Sequence, residues 1–267
     1  MSATTFQHSH SAVTARLRWA GCVFAEDEAR LLIAAAHAPE VLERLIEQRA
    51  SGLPLEYLLG WAEFCGQHIA VDPGVFVPRR RTEYLVQEAA RLARPGAVVV
   101  DLCCGSGAVG AALAASAGSI ELHAADVDPA AVRCARRNIA AAGGHVHEGD
   151  LYSALPDALR GQVDVLVANA PYVPTDSIGM MPPEARLHEP LVALDGGADG
   201  LDVQRRIAEE APSWLAPGGW LLIETSARQA PTTAALFGHA GLSTRVVHSE
   251  EFDATVVLGK RQEIHRK

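Results

Sequence analysis

Two different rhythms of apolar residues divide the chain. From about residue 12 to 59 they recur at helical spacing. Ala25-Glu26-Asp27-Glu28-Ala29-Arg30-Leu31-Leu32-Ile33 sets carboxylates ahead of an apolar run, as the positive end of a helix dipole favours. A second helix is predicted from Pro39, with Val41, Leu42, Leu45 and Ile46 on one face and Gly52 and Pro54 ending it. Between Trp61 and Val77 the pattern shortens to Phe64, Ile69, Val71, Phe76 and Val77, interrupted by Gly66, Pro73 and Gly74. That pattern predicts a hairpin joining two parts of the chain. The organisation expected is a polar, disordered leader over 1–11, a helical domain over 12–60, a hairpin linker over 61–80 and a larger domain over 81–267.

In the larger part, strand-like and helix-like segments alternate. Strands are predicted at 97–102, 120–125, near 145–148, at 163–168 and at 220–224, with two more at the end. Helices are predicted at about 107–117, 129–142, 201–215 and 228–239. Runs such as Val98-Val99-Val100 are apolar on both faces, and the alternation implies an α/β fold with a parallel sheet covered on both sides by helices.

Composition removes several function classes. No apolar run approaches the ~20 residues of a membrane span, and the N-terminus lacks an apolar signal core, so a cytoplasmic protein is expected. Five cysteines without framework spacing suit a reducing compartment. Adjacent Cys103 and Cys104 lack a second pair, so no metal is expected. A net charge of −9 argues against direct nucleic-acid binding. The run Arg79-Arg80-Arg81 is a local exception, read as a solvated face or a contact for an acidic ligand.

The first strand of the larger part runs into Cys103-Cys104-Gly105-Ser106-Gly107-Ala108-Val109-Gly110 and then a helix. Glycines there let the backbone approach a ligand, and the helix start offers free N–H groups. The same residues satisfy G-x-G-x-x-G, so a dinucleotide dehydrogenase is an alternative, on a weak signal. Asp101 tilts the reading toward S-adenosylmethionine, because it would attract a cationic amino-acid moiety and repel a pyrophosphate. Asp126 ends the second strand, where it would accept from a ribose hydroxyl pair; Asp150 follows the third, toward the adenine. The candidate cofactor residues are thus Asp101, Gly105, Ser106, Gly107, Asp126, Asp150 and Asn169.

The fourth strand ends in Asn169-Ala170-Pro171-Tyr172. A conjugated nitrogen is a poor nucleophile because its lone pair is delocalised, so catalysis of its methylation rests on positioning. Asn169 supplies a side-chain carbonyl that accepts from an N–H. The backbone carbonyl of Ala170 is a second acceptor, held by the extended conformation that Pro171 imposes on Ala170. Tyr172 is expected to give a flat stacking face. These four residues are the candidate catalytic tetrad.

With these motifs in view, the sequence resembles the protein glutamine N5-methyltransferases that act on peptide chain release factors. Further stretches carry the likeness: Arg49-x-x-Gly52-x-Pro54-x-x-Tyr57-x-x-Gly60, Phe64-x-Gly66, Val77-Pro78-Arg79 with Thr82-Glu83, and above all Glu189-Pro190-x-x-Ala193-Leu194-x-Gly196-Gly197-x-Asp199-Gly200-Leu201. The resemblance implies a class I methyltransferase fold, Rossmann-like with a mostly parallel seven-stranded sheet, and S-adenosylmethionine as cofactor. It implies a release factor's Gly-Gly-Gln glutamine as acceptor, with Asn169 and Tyr172 holding it, and a helical N-terminal domain that recognises the protein. Three residues depart from the family pattern: Cys103 for glycine, Leu151 for an aromatic residue beside the adenine, and Ala170 for the first proline of Asn-Pro-Pro-Tyr. Methylation of an exocyclic base amine in RNA or DNA, and a non-catalytic cofactor-binding protein, are the alternatives. The Glu189–Leu201 stretch and the charge argue against the nucleic-acid reading.

Overall fold

The computed structural model describes residues 10–263. The leader expected over 1–11 therefore falls, up to residue 9, outside the described residues, while His10 and Ser11 belong to the first helix. Four helices, α1 (His10–Trp19), α2 (Ala25–Ala35), α3 (Pro39–Ala50) and α4 (Leu55–Leu59), bury Val13, Leu17, Ala29, Leu32, Leu42 and Ile46 among themselves. The acidic first turn of α2 and Pro39 at the start of α3 are present. A buried ion pair joins these two helices: Arg49 donates through Nε to Glu28 Oε2 (2.6 Å) and through Nη2 to Oε1 (3.2 Å). The forked geometry satisfies both carboxylate oxygens, which is what makes burial of the pair tolerable.

Strands β1 (Trp61–Phe64) and β2 (Gln67–Ala70) form an antiparallel hairpin about Cys65-Gly66. Both turn residues have positive φ, 49° and 71°, the geometry a two-residue hairpin turn demands. Phe64 and Ile69 pack into the core beneath the main sheet.

The rest of the chain builds that sheet. In chain order it contains α5 (Glu83–Ala90), β3 (Val98–Leu102), α6 (Ala108–Ser116), β4 (Glu121–Asp126), α7 (Pro129–Ile139), β5 (His145–Glu148), β6 (Val163–Ala168), α8 (Pro183–His188), α9 (Asp202–Trp214), β7 (Leu215–Thr225), α10 (Ala230–His239), β8 (Ser243–Ser249) and β9 (Ala254–Lys260). The strand order is β5-β4-β3-β6-β7-β9-β8. The first five strands in that order are parallel, and β9 runs antiparallel to both β7 and β8. Alternate residues feed two cores: Val99, Val165, Val167 and Leu222 face one helix layer, and Val100, Leu166, Leu221 and Ile223 the other. This is the mostly parallel seven-stranded sheet that the resemblance implied.

Two segments differ from the pattern-based expectation. The last parallel strand begins at Leu215 rather than Trp220, pairing with Val163 before a register shift. Residues 175–193 hold α8 and two short 3-10 turns where no element was predicted. From β3 the chain winds outward to β4 and β5, then returns to β6 and winds the other way to β7. The reversal opens a crevice between β3 and β6, where open α/β sheets bind ligands.

Candidate active site

A cavity of ≈ 340 Å³ lies in that crevice, beyond the carboxyl ends of β3, β4 and β6. Asp101, Cys103, Gly105, Ser106, Asp126, Asp150, Leu151, Asn169 and Pro171 are among the residues lining it. Most of the cofactor and tetrad residues expected from the sequence are therefore brought to one place. Gly107, Ala170 and Tyr172 do not line it.

The turn after β3 has positive φ at Cys103 (55°), Gly105 (55°) and Gly107 (77°). Cys103 thus adopts a conformation that ordinarily favours glycine, at a strain of about 1–2 kcal/mol. Gly107 caps α6, and a Cβ there would approach Ala135 and Ile139 to 3.0 Å. Its place in the structure is one of close packing between α6 and α7. Asn138 of α7 ties the turn to the hairpin: its amide donates to the carbonyls of Ser106 and Ala70 (2.8 Å each) and accepts from Ala70 N–H (2.9 Å).

Four carboxyls, those of Asp101, Asp126, Asp128 and Asp150, line this cavity, and Asp101 and Asp126 sit deepest in it. Asp101 is 1% exposed and accepts from Gly110 N–H through Oδ2 at 3.0 Å. Burial pushes its pKa up to about 7, only partly offset by that hydrogen bond. Asp126 Oδ2 accepts from Gly105 N–H (2.8 Å) and Oδ1 from Asp128 N–H (2.9 Å). Burial raises its pKa too, against the pull of those two donors. Each oxygen of Asp126 keeps a lone pair for a ligand. Asp150 lies at the outer rim, paired with Arg206 at 2.6 Å. Leu151 is buried with φ 49° and contributes an apolar wall.

Asn169 sits at the end of β6, its Nδ2 donating to Thr82 Oγ1 at 3.2 Å. Tyr172 is turned away from the cavity, its phenol among Glu224, Arg81 and Arg79. The stacking face expected of Tyr172 is therefore not presented to the cavity. Its backbone is clamped instead. Gln229 Nε2 donates to the carbonyls of both Tyr172 and Asp199 at 3.0 Å, and Gly196 N–H donates to Val173 O at 2.9 Å. Gly200 has φ 79°, and a Cβ there would lie 2.5 Å from Gln229 Nε2 and closer still to Tyr172 O. Gly200 is thus required by close approach to the tetrad, while a Cβ at Gly196 would meet the Gly200 backbone and one at Gly197 the Asp202 carboxyl.

That stretch also gives Glu189 a function and corrects the reading of Arg79 within the arginine run. Arg79 donates to both oxygens of Glu189 at 2.6 Å, and Val77 N–H donates to Oε1 at 3.2 Å. Arg80 lies over the Phe252 ring and Arg81 faces Tyr172 and Glu224. Arg79 fastens the polypeptide beside the tetrad, whereas Arg80 and Arg81 are exposed, so the solvated-face reading holds for those two residues. Thr82 appeared in the sequence only as part of a motif with no role attached, and no role was expected of Glu224 or Gln229.

Residues 67–180 match the Methyltransferase small domain family. The chain is 41% identical over 199 residues to the release factor glutamine methyltransferase of Geobacter sulfurreducens, covering 74% of this chain and 69% of that protein. The chain belongs to the release factor glutamine methyltransferase family. Members use S-adenosylmethionine as methyl donor. A further relative, 37% identical over 203 residues, is the 4-amino-L-phenylalanine/4-methylamino-L-phenylalanine methyltransferase of Streptomyces pristinaespiralis, with 73% and 69% of the two chains covered. The crystal structure of a methyltransferase from Pyrococcus furiosus matches 84% of this chain and all of its own at a TM-score of 0.56 and 17% identity, a likeness of fold. Among the described residues of this family member no helix is long and apolar enough to cross a membrane.

Proposed function

We propose that this family member transfers the methyl group of S-adenosylmethionine to the side-chain amide nitrogen of a protein glutamine, that of the Gly-Gly-Gln segment of a peptide chain release factor. The observation that carries the reading is Asn169: it lines the same cavity as Asp101 and Asp126, and its Nδ2 is occupied by Thr82, which leaves Oδ1 to accept.

The residues fit the cofactor. A cavity lined by four carboxyls suits a ligand bearing an ammonium group and a hydroxyl pair, and disfavours a pyrophosphate. Asp101 would hold the ammonium, the Gly105–Ser106 backbone the methionine part, and Asp126 the ribose hydroxyls. Asp150 and Leu151 would flank the adenine. When bound, the cofactor supplies an electrophilic methyl on its sulfonium.

Asn169 Oδ1, in the cavity, would accept one N–H of the acceptor amide and the backbone carbonyl of buried Ala170 the other, which holds the amide plane so that the nitrogen lone pair faces the methyl. Asn169 and Ala170 would hold the nitrogen in place to receive the methyl that the bound cofactor would supply, and the proton the nitrogen gives up would pass to water. Ala170 is asked only for its carbonyl, so its departure from proline is compatible with turnover. The helices of residues 12–60 would grip the protein acceptor, and such a substrate places the enzyme in the cytoplasm.

The test is a transfer assay with labelled cofactor and three separate acceptors: release factor, bulk RNA and 4-amino-L-phenylalanine. Label is expected in the release factor, on the Gly-Gly-Gln glutamine. Asn169→Ala is expected to lose transfer by on the order of 10²–10³-fold while retaining cofactor affinity. Label in RNA or the small amine but not in protein would overturn the reading.

A further inference from the structure

Behind Asn169 lies a buried carboxyl that neither the sheet nor the cofactor turn uses. β6 pairs with β7 through Ala168 and Ile223, so Asn169 and Glu224 leave the sheet side by side. Glu224 is 2% exposed, and its Oε2 has no hydrogen-bond partner. An unpartnered buried carboxyl oxygen costs stability that an aliphatic residue at this strand position would not. Thr82 stands between the two. Its hydroxyl oxygen accepts from Asn169 Nδ2 at 3.2 Å, and its hydroxyl also meets the Glu224 carboxyl. The other ionisable groups facing Glu224 are Arg81, from the turn before α5, and Tyr172 of the tetrad; β9 offers only Val256 in register.

We propose that Glu224 and Thr82 are positioning residues that decide which end of the Asn169 amide faces the acceptor. Proton count sets the orientation. A threonine hydroxyl has one proton, and an ionised carboxylate can only accept. With Glu224 ionised, Thr82 donates to it, its oxygen accepts from Asn169 Nδ2, and Oδ1 is left toward the cavity. That is the orientation an acceptor –NH₂ needs. With Glu224 protonated, the carboxyl donates to Thr82, whose own proton then seeks Asn169 Oδ1. The amide turns over and presents Nδ2 to the acceptor, donor against donor. Burial raises the Glu224 pKa to about 7, against hydrogen bonds from Thr82 and Tyr172 and the charge of Arg81. The switch between orientations therefore lies within the working pH range.

The inference rests on the proposed amide acceptor for its kinetic readout alone, and a second readout needs no acceptor. In ¹⁵N-labelled full-length protein, the Asn169 side-chain amide resonances are expected to titrate with a midpoint near 7, and to lose that titration in Glu224→Gln. At pH 8, with release factor as acceptor, Glu224→Gln and Thr82→Val are expected to raise the acceptor KM about tenfold or more. The cofactor Kd should stay within about twofold, because neither group is asked to touch it. Thr82→Ser, which keeps the hydroxyl, is expected to recover most of the KM lost in Thr82→Val. Persistence of the Asn169 titration in Glu224→Gln would overturn the proposal. So would a Thr82→Val enzyme with unchanged acceptor KM, which also decides the matter if Glu224→Gln does not fold. If the wild-type enzyme leaves release factor unlabelled, the acceptor assignment fails, and the resonance titration still decides the role of Glu224.

Discussion

Replacing Gly200 by alanine tests whether the 189–201 stretch is a clamp on the tetrad. Gly200 has φ 79°, where any Cβ costs about 1–2 kcal/mol. The new Cβ would also overlap Tyr172 O and Gln229 Nε2, well inside the separation real carbon atoms tolerate. Relieving that overlap displaces backbone, at about 1–3 kcal/mol. It also loosens the two Gln229 hydrogen bonds, at about 1 kcal/mol each. The sum is about 4–7 kcal/mol, a fall in melting temperature of roughly 8–28 °C for a chain of this size. Gly74 is the control: its φ is 82°, but nothing lies within 4 Å of its added Cβ. Gly74→Ala should therefore cost only the conformational part, about 1–2 kcal/mol. Thermal and urea unfolding measure both, and the acceptor KM should rise only in Gly200→Ala. Equal losses in the two variants, or a Gly200→Ala enzyme with unaltered KM, would refute the clamp.

Asp101 gives a pH-dependent outcome. Its folded pKa of about 7 exceeds the ordinary 3.8, so its ionisation costs nothing below pH 4, an increasing amount as pH rises, and about 4 kcal/mol above pH 7. In the cofactor-free protein, Asp101→Asn should raise stability at pH 8, lose that advantage near pH 4, and weaken cofactor binding at both, as paired pH-melting and calorimetric series would show. Arg79→Met should destabilise by about 2–4 kcal/mol, because Glu189 would be left buried without its cation; chemical denaturation checks it, and Glu189→Gln in the same background should restore part of the loss. His147 has a pKa held below the ordinary 6.5 by burial and by neighbouring His123 and His145. Stability should therefore fall as pH drops below 6.5, and His147→Gln should flatten that slope in unfolding curves between pH 5 and 7.

The middle of the sheet was legible because its central strands are apolar on both faces. Val98–Leu102 and Val163–Ala168 stand out from any helical period. The 175–193 segment was not, since Met181-Pro182-Pro183 breaks every period and α8 has only six residues. Pro217-Gly218-Gly219 reads as a turn, yet β7 runs through it because Leu215 still finds Val163. Asp101, Asp126 and Asn169 were visible as single polar residues closing apolar strands. Glu224 closes Trp220-Leu221-Leu222-Ile223 in the same way, so the signal that exposed Asp101 was present there too. Thr82 and Gln229 carried no comparable signal, because their partners lie 87 and 57 residues away in sequence. Arg79 misled for a related reason: it finds Glu189 across 110 residues.

The bonds of Gln229 end on the main-chain carbonyls of Tyr172 and Asp199 rather than on side chains. A contact of this kind is indifferent to which amino acid occupies the position it holds. The loop carrying the tetrad can accumulate substitutions while its course through space is preserved, because the fastening belongs to the partner strand of contacts and not to the loop's own side chains. Ala170 in place of proline is the kind of drift such a fastening permits. The geometric constraint falls instead on Gly200 and Gln229, residues that do not line the cavity.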